Sequence, residues 1–146
     1  PFFIYNRPML VEGIGDRLTP VEITELKGLS IAIVKPEAEA VATKEAYAGI
    51  TPAELPDGVR LTDHAARPVG SWSSDGVLIN DFETSIFPLR PAIAATLEAM
   101  KECGAVYAAM SGSGAAVFGL FADAKMAEQA AASFEGCRTY CGALQA

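Results

Sequence analysis

The fold of this chain is decided by AAMSGSGAAVFGLF, residues 108–121, in which two apolar runs flank Ser111, Gly112, Ser113 and Gly114. The runs, residues 106–110 and 115–121, are short and apolar enough to be central strands of a sheet. An ordinary hairpin needs only two conformationally permissive residues. We therefore predict two strands joined by a loop whose backbone something else approaches closely.

The glycine loop, residues 111–114, fits none of the common phosphate or nucleophile motifs. No Gly-Lys-Ser/Thr follows it, it is not a GxGxxG fingerprint, and neither serine stands between two glycines at the spacing of a nucleophile elbow. Gly112 and Gly114 permit positive φ, so successive amides can turn inward as a nest for anionic oxygens, with the two serine hydroxyls as further donors. The alternative is a tight strand connection with both serines in water, and the residues alone leave both interpretations open.

Composition limits the classes of partner. The 146 residues are 51% hydrophobic and 20% charged, and the formal net charge of -7 repels a nucleic-acid backbone. No apolar run reaches the roughly 18 residues of a membrane span, so we expect a cytoplasmic protein with neither a membrane nor a nucleic acid as partner. Any phosphate bound here needs backbone amides, a metal ion or another domain.

The remaining pattern predicts an α+β fold. From residue 29 onward it reads as a strand at 29–34, a short helix after Pro36, a long helix ending near Gly104, the two strands around the glycine loop, a helix at 124–134 and a strand at 137–141. Ile93, Leu97 and Met100 recur at helical spacing and predict the core face of the long helix. This order predicts a ferredoxin-like split βαβ arrangement, a four-stranded antiparallel sheet with helices on one face.

Residues 1–28 are predicted to be an extended segment, PFFIY included, that precedes a domain spanning residues 29–146. The chain opens at Pro1 directly into an apolar run, so we expect a fragment that continues from an N-terminal half. Removal of that half should uncover apolar surface around PFFIY, which favours self-association into a homodimer.

Some side chains outside the loop have structural interpretations. Trp72 is predicted to pin an irregular excursion at residues 49–79, and the sole histidine, His64, is interpreted as a solvated side chain of that excursion. The segment NDFE, residues 80–83, predicts a helix start in which a short side-chain oxygen caps free amides and Asp81 and Glu83 have structural roles.

Three segments together resemble the C-terminal half of the GHMP kinases: LVEGIGDRLTP at residues 10–20, NDFE at 80–83 and MSGSGAAVFGLF at 110–121. With PFFI at the start, their order resembles the kinases of 4-diphosphocytidyl-2-C-methyl-D-erythritol in particular. The resemblance implies transfer of the γ-phosphoryl group of ATP, with Mg, to the 2-hydroxyl of that substrate in non-mevalonate isoprenoid biosynthesis. Two alternatives stay open, namely another GHMP kinase of a small alcohol such as homoserine or mevalonate, and a stand-alone ferredoxin-like ligand-binding module.

The resemblance also implies which parts lie in this chain. The family's catalytic lysine, its ATP loop and the aspartate before PFF belong to the N-terminal half, so we expect no catalytic or metal-binding residue here and no turnover by the fragment alone. The loop Ser111 to Gly114 is implied to lie beside the phosphates and the acceptor. TKEAY implies Thr43 near the substrate and Tyr47 against the cytosine, while helix capping by Thr43 and core packing by Tyr47 are the alternatives.

Overall fold

The structure, a computed structural model, describes residues 2–5, 7–50, 59–72, 74 and 77–144. Within them the strands are β1 (Met9–Glu12), β2 (Arg17–Pro20), β3 (Ser30–Pro36), β4 (Tyr107–Met110), β5 (Val117–Phe121) and β6 (Cys137–Ala143). The helices are α1 (Phe2–Tyr5), α2 (Thr43–Ala48), α3 (Leu61–Ala65), α4 (Phe82–Ile86), α5 (Pro91–Glu102) and α6 (Ala124–Ser133). No helix in this described part has the length and apolarity to cross a membrane.

The predicted four-stranded antiparallel sheet is confirmed, with strand order β4-β5-β3-β6. In β3, Ala32 and Val34 are fully buried, whereas Ile31 and Ile33 alternate onto the opposite face. Val117 pairs with Val34 on one side and with Met110 on the other. The chain between β4 and β5 therefore turns at one end of the sheet, and that turn contains the glycine loop.

The core lies between the sheet and the long helices. Ile93, Leu97 and Met100 of α5 are buried as predicted. A Cβ on Gly119, in the middle of β5, would lie 2.6 Å from Cγ of Met100, so this glycine is needed for close approach of α5 to the sheet. Helix α6 packs on the same layer through alanines, and the Asp123 carboxylate accepts a bond from the Met126 amide at 2.9 Å at its start.

The second face of the sheet is covered in part by the excursion. Trp72 is 8% exposed, donates from its indole nitrogen to the Arg67 carbonyl at 2.9 Å and meets the Tyr107 ring edge-on at 5.3 Å. The prediction that Trp72 pins this segment is confirmed. The described part of the excursion is less irregular than expected, because it contains α3 and a 3₁₀ turn at Val69–Ser71; residues 51–58, 73, 75 and 76 lie outside the described residues. The second face of the sheet is thus covered as well as the first.

Two local expectations are wrong. Phe2–Tyr5 of the PFFIY segment are not extended but form the single helical turn α1, since a short apolar run does not by itself distinguish strand from helix. The helix that starts at NDFE, α4, is separate from the long helix α5, which begins with Pro91 in its first turn, where a missing amide costs nothing. Thr43 does not cap α2; Ala42 holds the cap position without any side-chain bond.

The segment predicted to precede the domain is built around a hairpin. Strands β1 and β2 pair from Met9 with Pro20 to Glu12 with Arg17. The turn between them uses Gly13 and Gly15, both at positive φ (67° and 91°), and the Gly15 amide donates to the Glu12 carbonyl at 3.2 Å. LVEGIGDRLTP is therefore a two-stranded ribbon, separate from the main sheet.

Candidate functional site

A groove of about 560 Å³ lies at the end of the sheet where β4 and β5 turn. We call it the loop groove, and its lining comes from the ends of α2 and β4, the start of α4, and the second face of the sheet. The lining residues are Tyr47, Ile50, Ile79, Asn80, Asp81, Phe82, Tyr107, Ala109, Met110, Ser111, Gly112 and Phe118. Three of the residues predicted for the site, Tyr47, Ser111 and Gly112, thus line one cavity.

The glycine loop is a tight but open turn. The Ser111 amide donates to the Ala116 carbonyl at 2.8 Å, and the Gly114 amide donates to the Ser111 carbonyl at 3.0 Å. Gly112 and Gly114 have φ of 54° and 91°, the left-handed region that disfavours residues with a Cβ. A Cβ on Gly114 would lie 2.8 Å from Sδ of Met110, whereas one on Gly112 would meet nothing within 4 Å. Gly114 is therefore fixed by packing and by conformation, and Gly112 by conformation alone.

The loop also presents donors. Its two other amides, those of Gly112 and Ser113, find no acceptor within the described residues, and neither do the hydroxyls of Ser111 and Ser113. Ser111 and Gly112 are exposed on the groove side, and Ser113 and Gly114 are half-buried. Adjacent unpaired amides in a loop with positive φ have the arrangement needed for anion binding. The same geometry also serves a tight strand turn, so the role of the loop stays a prediction.

NDFE joins the start of α4 to this loop. The side-chain amide of Asn80 donates to the carbonyls of Met110 and Gly112, each at 2.7 Å, and its Oδ1 accepts from the Phe82 amide at 3.1 Å. Oε1 of Glu83 accepts from the Met110 amide at 2.7 Å. Since β4 is an edge strand, these two side chains satisfy outward-facing groups of Met110 that no neighbouring strand can reach.

The environment of Glu83 changes its acidity. Burial raises the pKa of the Glu83 carboxyl above its ordinary value, and the hydrogen bond from the Met110 amide opposes this only in part. Tyr107, whose hydroxyl donates to the Leu78 carbonyl at 3.0 Å, has its pKa raised by burial and then by the charge of Glu83. The structural role predicted for Glu83 is confirmed, and it consists of holding the strand end rather than of capping a helix.

Two aromatic rings in contact, those of Tyr47 and Phe82, form a second part of the lining, which we call the aromatic wall. Tyr47 is 65% exposed and meets the ring of Phe82 edge-on, with 4.9 Å between ring centres. Core packing as the explanation of Tyr47 is wrong, since about two thirds of the residue is open to solvent. Stacking on a base stays a prediction.

Thr43 does not share the groove. It is exposed at the first position of α2, and it is absent from the groove lining. The start of α2 is nevertheless near the loop, because Cγ2 of Val41 lies 3.5 Å from the position of a Cβ on Gly114. Ser113 and Gly114 likewise belong to the loop without lining the cavity.

The charge of the groove does not match an anionic ligand by itself. Among the described residues, Asp81 is the single charged residue of the lining, and none of them adds a lysine or arginine to it. Within the described ranges no three His, Cys, Asp or Glu side chains are placed to hold a metal ion. His64 lies on α3 and is not part of the groove lining.

Sequence reasoning missed the role of Asn80 in this site. NDFE predicts only a capping role for Asn80, and its Oδ1 does accept from the Phe82 amide, but its amide group bridges to residues 30 and 32 positions away. Nothing in the residue type or spacing indicates that contact. An asparagine next to a helix start has a complete local explanation, so the sequence holds no signal for the second role.

Comparison with known proteins gives a family. Residues 66–137 match the family described as GHMP kinases C terminal. The 4-diphosphocytidyl-2-C-methyl-D-erythritol kinase of Parabacteroides distasonis is 45% identical over 121 residues, covering 83% of this chain and 42% of the relative. That of Nitratidesulfovibrio vulgaris is 37% identical over 148 residues, covering 96% of this chain and 50% of the relative. The chain thus spans about half the length of these curated relatives or less.

Solved structures agree with the fold. A crystal structure of 4-(cytidine 5'-diphospho)-2C-methyl-D-erythritol kinase superposes with a TM-score of 0.71 at 27% identity, covering 97% of this chain and 51% of that one. Homoserine kinase from Cytophaga hutchinsonii gives a TM-score of 0.62 at 22% identity, covering 91% and 47%, and that likeness shows the fold alone. Together with the split βαβ sheet, these matches show that the chain belongs to the GHMP kinases, as their C-terminal domain.

Proposed function

We propose that this chain is the substrate-binding half of a cytoplasmic, ATP-dependent kinase that phosphorylates 4-diphosphocytidyl-2-C-methyl-D-erythritol at its 2-hydroxyl, in non-mevalonate isoprenoid biosynthesis. One observation carries the proposal: an exposed aromatic wall and a loop with unpaired amides line the same groove. Relatives named for this kinase match most of the chain, which supports the choice of substrate within the GHMP kinases.

The two walls suit the two ends of a nucleoside diphosphate. Base stacking on a ring such as that of Tyr47 contributes about 1–3 kcal/mol. The amides of Gly112 and Ser113 are available for phosphate oxygens, which accept strong hydrogen bonds from backbone N–H groups. The described residues give the groove one carboxylate, Asp81, and no cation, so the amides need help from positive charge contributed elsewhere.

We assign this positive charge to the part of the enzyme that lies beyond this chain. Phosphoryl transfer depends on the positioning of ATP, metal and acceptor, and the chain contains no phosphate loop for ATP. We assign ATP, its Mg, the lysine and the base to an N-terminal half, in line with relatives about twice as long. Mg with ATP would neutralise the phosphate charge, and this chain would hold and orient the acceptor. The isolated chain should then bind substrate fragments weakly and turn over nothing.

The proposal is tested by ADP release from the protein that joins this chain to its N-terminal half. The expected acceptor is the cytidine-diphosphate-linked methylerythritol, with homoserine and mevalonate as competing acceptors. Preference for either non-nucleotide alcohol would overturn the substrate assignment. The 146-residue chain serves as the negative control, and turnover by it would overturn the division of labour.

A further inference from the structure

Asn80 occupies a position that the proposed chemistry does not use. It lies between the start of α4 and the end of β4, and three of its four hydrogen-bonding positions are engaged. Two of these bonds reach the strand end and the loop at Met110 and Gly112, and the third closes a local turn at Phe82. The side chain thus connects the two walls of the loop groove through a single planar group.

The contact requires an amide. Two carbonyl oxygens at 2.7 Å from one atom need two N–H donors, and the NH₂ group of asparagine supplies both. An aspartate of the same shape would place an acceptor against two acceptors. Because the peptide unit is planar, holding the Gly112 carbonyl also fixes the direction of the Ser113 amide, which is one of the two unpaired donors of the loop.

The geometry points to Asn80 as the positioning residue of the loop groove. Its amide sets the separation between the wall that carries Phe82 and Tyr47 and the loop that carries Gly112, and it orients the loop amides before any ligand arrives. The ligand that the groove takes rests on the proposed function, but the position of the loop does not. Asn80 touches no reacting atom in this assignment and acts only through the loop.

The test uses the ¹⁵N-labelled 146-residue chain and hydrogen exchange of the two protected loop amides, Ser111 and Gly114. Asn80→Asp should raise their exchange at least tenfold relative to the amides of β3, and Asn80→Ala should raise it to a lesser degree. Thr84→Val is the matched control, since Thr84 donates at 2.7 Å to the Asp81 carbonyl of the same turn without reaching the loop. The internal comparison with β3 separates loop release from general loss of stability.

A second readout is specific to the donor role. When the carboxyl introduced by Asn80→Asp is protonated at low pH, it regains one O–H donor, so the shifts of Gly112 and Ser113 should move back towards the wild-type positions. Asn80→Ala, titrated in parallel, should show no such recovery. Loop exchange within twofold of wild type in both variants, or an equal rise in Thr84→Val, would overturn the assignment. Should Asn80→Asp not fold, Asn80→Ala decides by the exchange criterion.

Ligand titration then separates this inference from the proposed function. CDP added to the wild-type chain should shift the amide resonances of Gly112 and Ser113. Asn80→Ala should lower the affinity for CDP at least tenfold and change the affinity for cytidine less than twofold. Equal loss for CDP and cytidine would overturn the role of Asn80 in spacing the walls. No response of the wild-type loop to CDP would contradict the proposed function, and the exchange comparison would still decide the role of Asn80.

Discussion

Replacing Gly114 with alanine should destabilise the domain much more than the same change at Gly112 or Gly136. All three glycines have positive φ, at 91°, 54° and 66°, so each variant incurs a backbone strain of roughly 1–2 kcal/mol, reduced by the lower entropy of the unfolded chain. Only Gly114 has a crowded Cβ position, 2.8 Å from Sδ of Met110, and Met110 is buried, at 2% exposure.

The extra destabilisation expected for Gly114→Ala can be estimated from the difference between the three sites. The strain that the three variants share cancels, whereas the φ of 91° at Gly114 lies outside the small left-handed region open to residues with a Cβ. The overpacking at Gly114, about 1–3 kcal/mol, is therefore the least that the variants should differ by. For a domain of this size each kcal/mol lowers the Tm by about 2–4 °C, so Gly114→Ala should melt roughly 2–12 °C below Gly112→Ala. Urea unfolding with a shared m-value gives the free energies directly.

A comparison of Gly112→Ala with Gly136→Ala tests ligand binding as well as stability. Gly112 and Gly136 are alike in having open space where a Cβ would stand, but only Gly112 lines the loop groove. The two variants should therefore be equally stable to within about 0.5 kcal/mol, and only Gly112→Ala should weaken CDP binding. Equal destabilisation at Gly112 and Gly114 would refute the packing argument, and unchanged CDP binding in Gly112→Ala would leave the loop as a turn and nothing more.

Three further changes test other parts of the site. Tyr47→Ala should weaken the binding free energy of CDP by about 1–3 kcal/mol in calorimetry and leave the stability unchanged. The control Tyr140→Ala removes a tyrosine that is 62% exposed on β6, and it should leave CDP binding intact. The pKa of Glu83 is raised in the folded state, so its protonated carboxyl adds to the free energy of unfolding at pH below the ordinary pKa near 4.5. This contribution is lost as the pH rises through the folded-state pKa. Glu83→Gln keeps an acceptor for the Met110 amide and should flatten that part of the stability profile in urea titrations; a profile identical to wild type would contradict the assignment. Trp72→Ala should cost about 3–5 kcal/mol in the same assay, and a loss below about 1 kcal/mol would mean that the excursion is not held by this ring.

The sheet could be predicted because its signals are local. The apolar, β-rich run of β3, the helical spacing of Ile93, Leu97 and Met100, and the apolar runs around the glycine loop each appear within a dozen residues, and topology rules then leave few arrangements. The predictions for Thr43 and for the opening PFFIY were wrong because their local signals are ambiguous. A threonine near a helix start and a short apolar run each fit two structures, and only the surrounding chain selects between them.

The glycine loop is accessible because β4 lies at the edge of the sheet. An interior strand would have both backbone sides occupied by neighbours, whereas the outer side of β4 is free to be satisfied by side chains. Asn80 and Glu83 supply those partners at Met110, so the strand end is held without a fifth strand that would close the groove. The same arrangement explains why NDFE and the loop belong together although about 30 residues separate them. The start of α4 thus supplies the hydrogen-bond partners of the edge strand β4 and of the loop. The loop backbone is held in place while it stays exposed, and a phosphate-binding turn requires both properties.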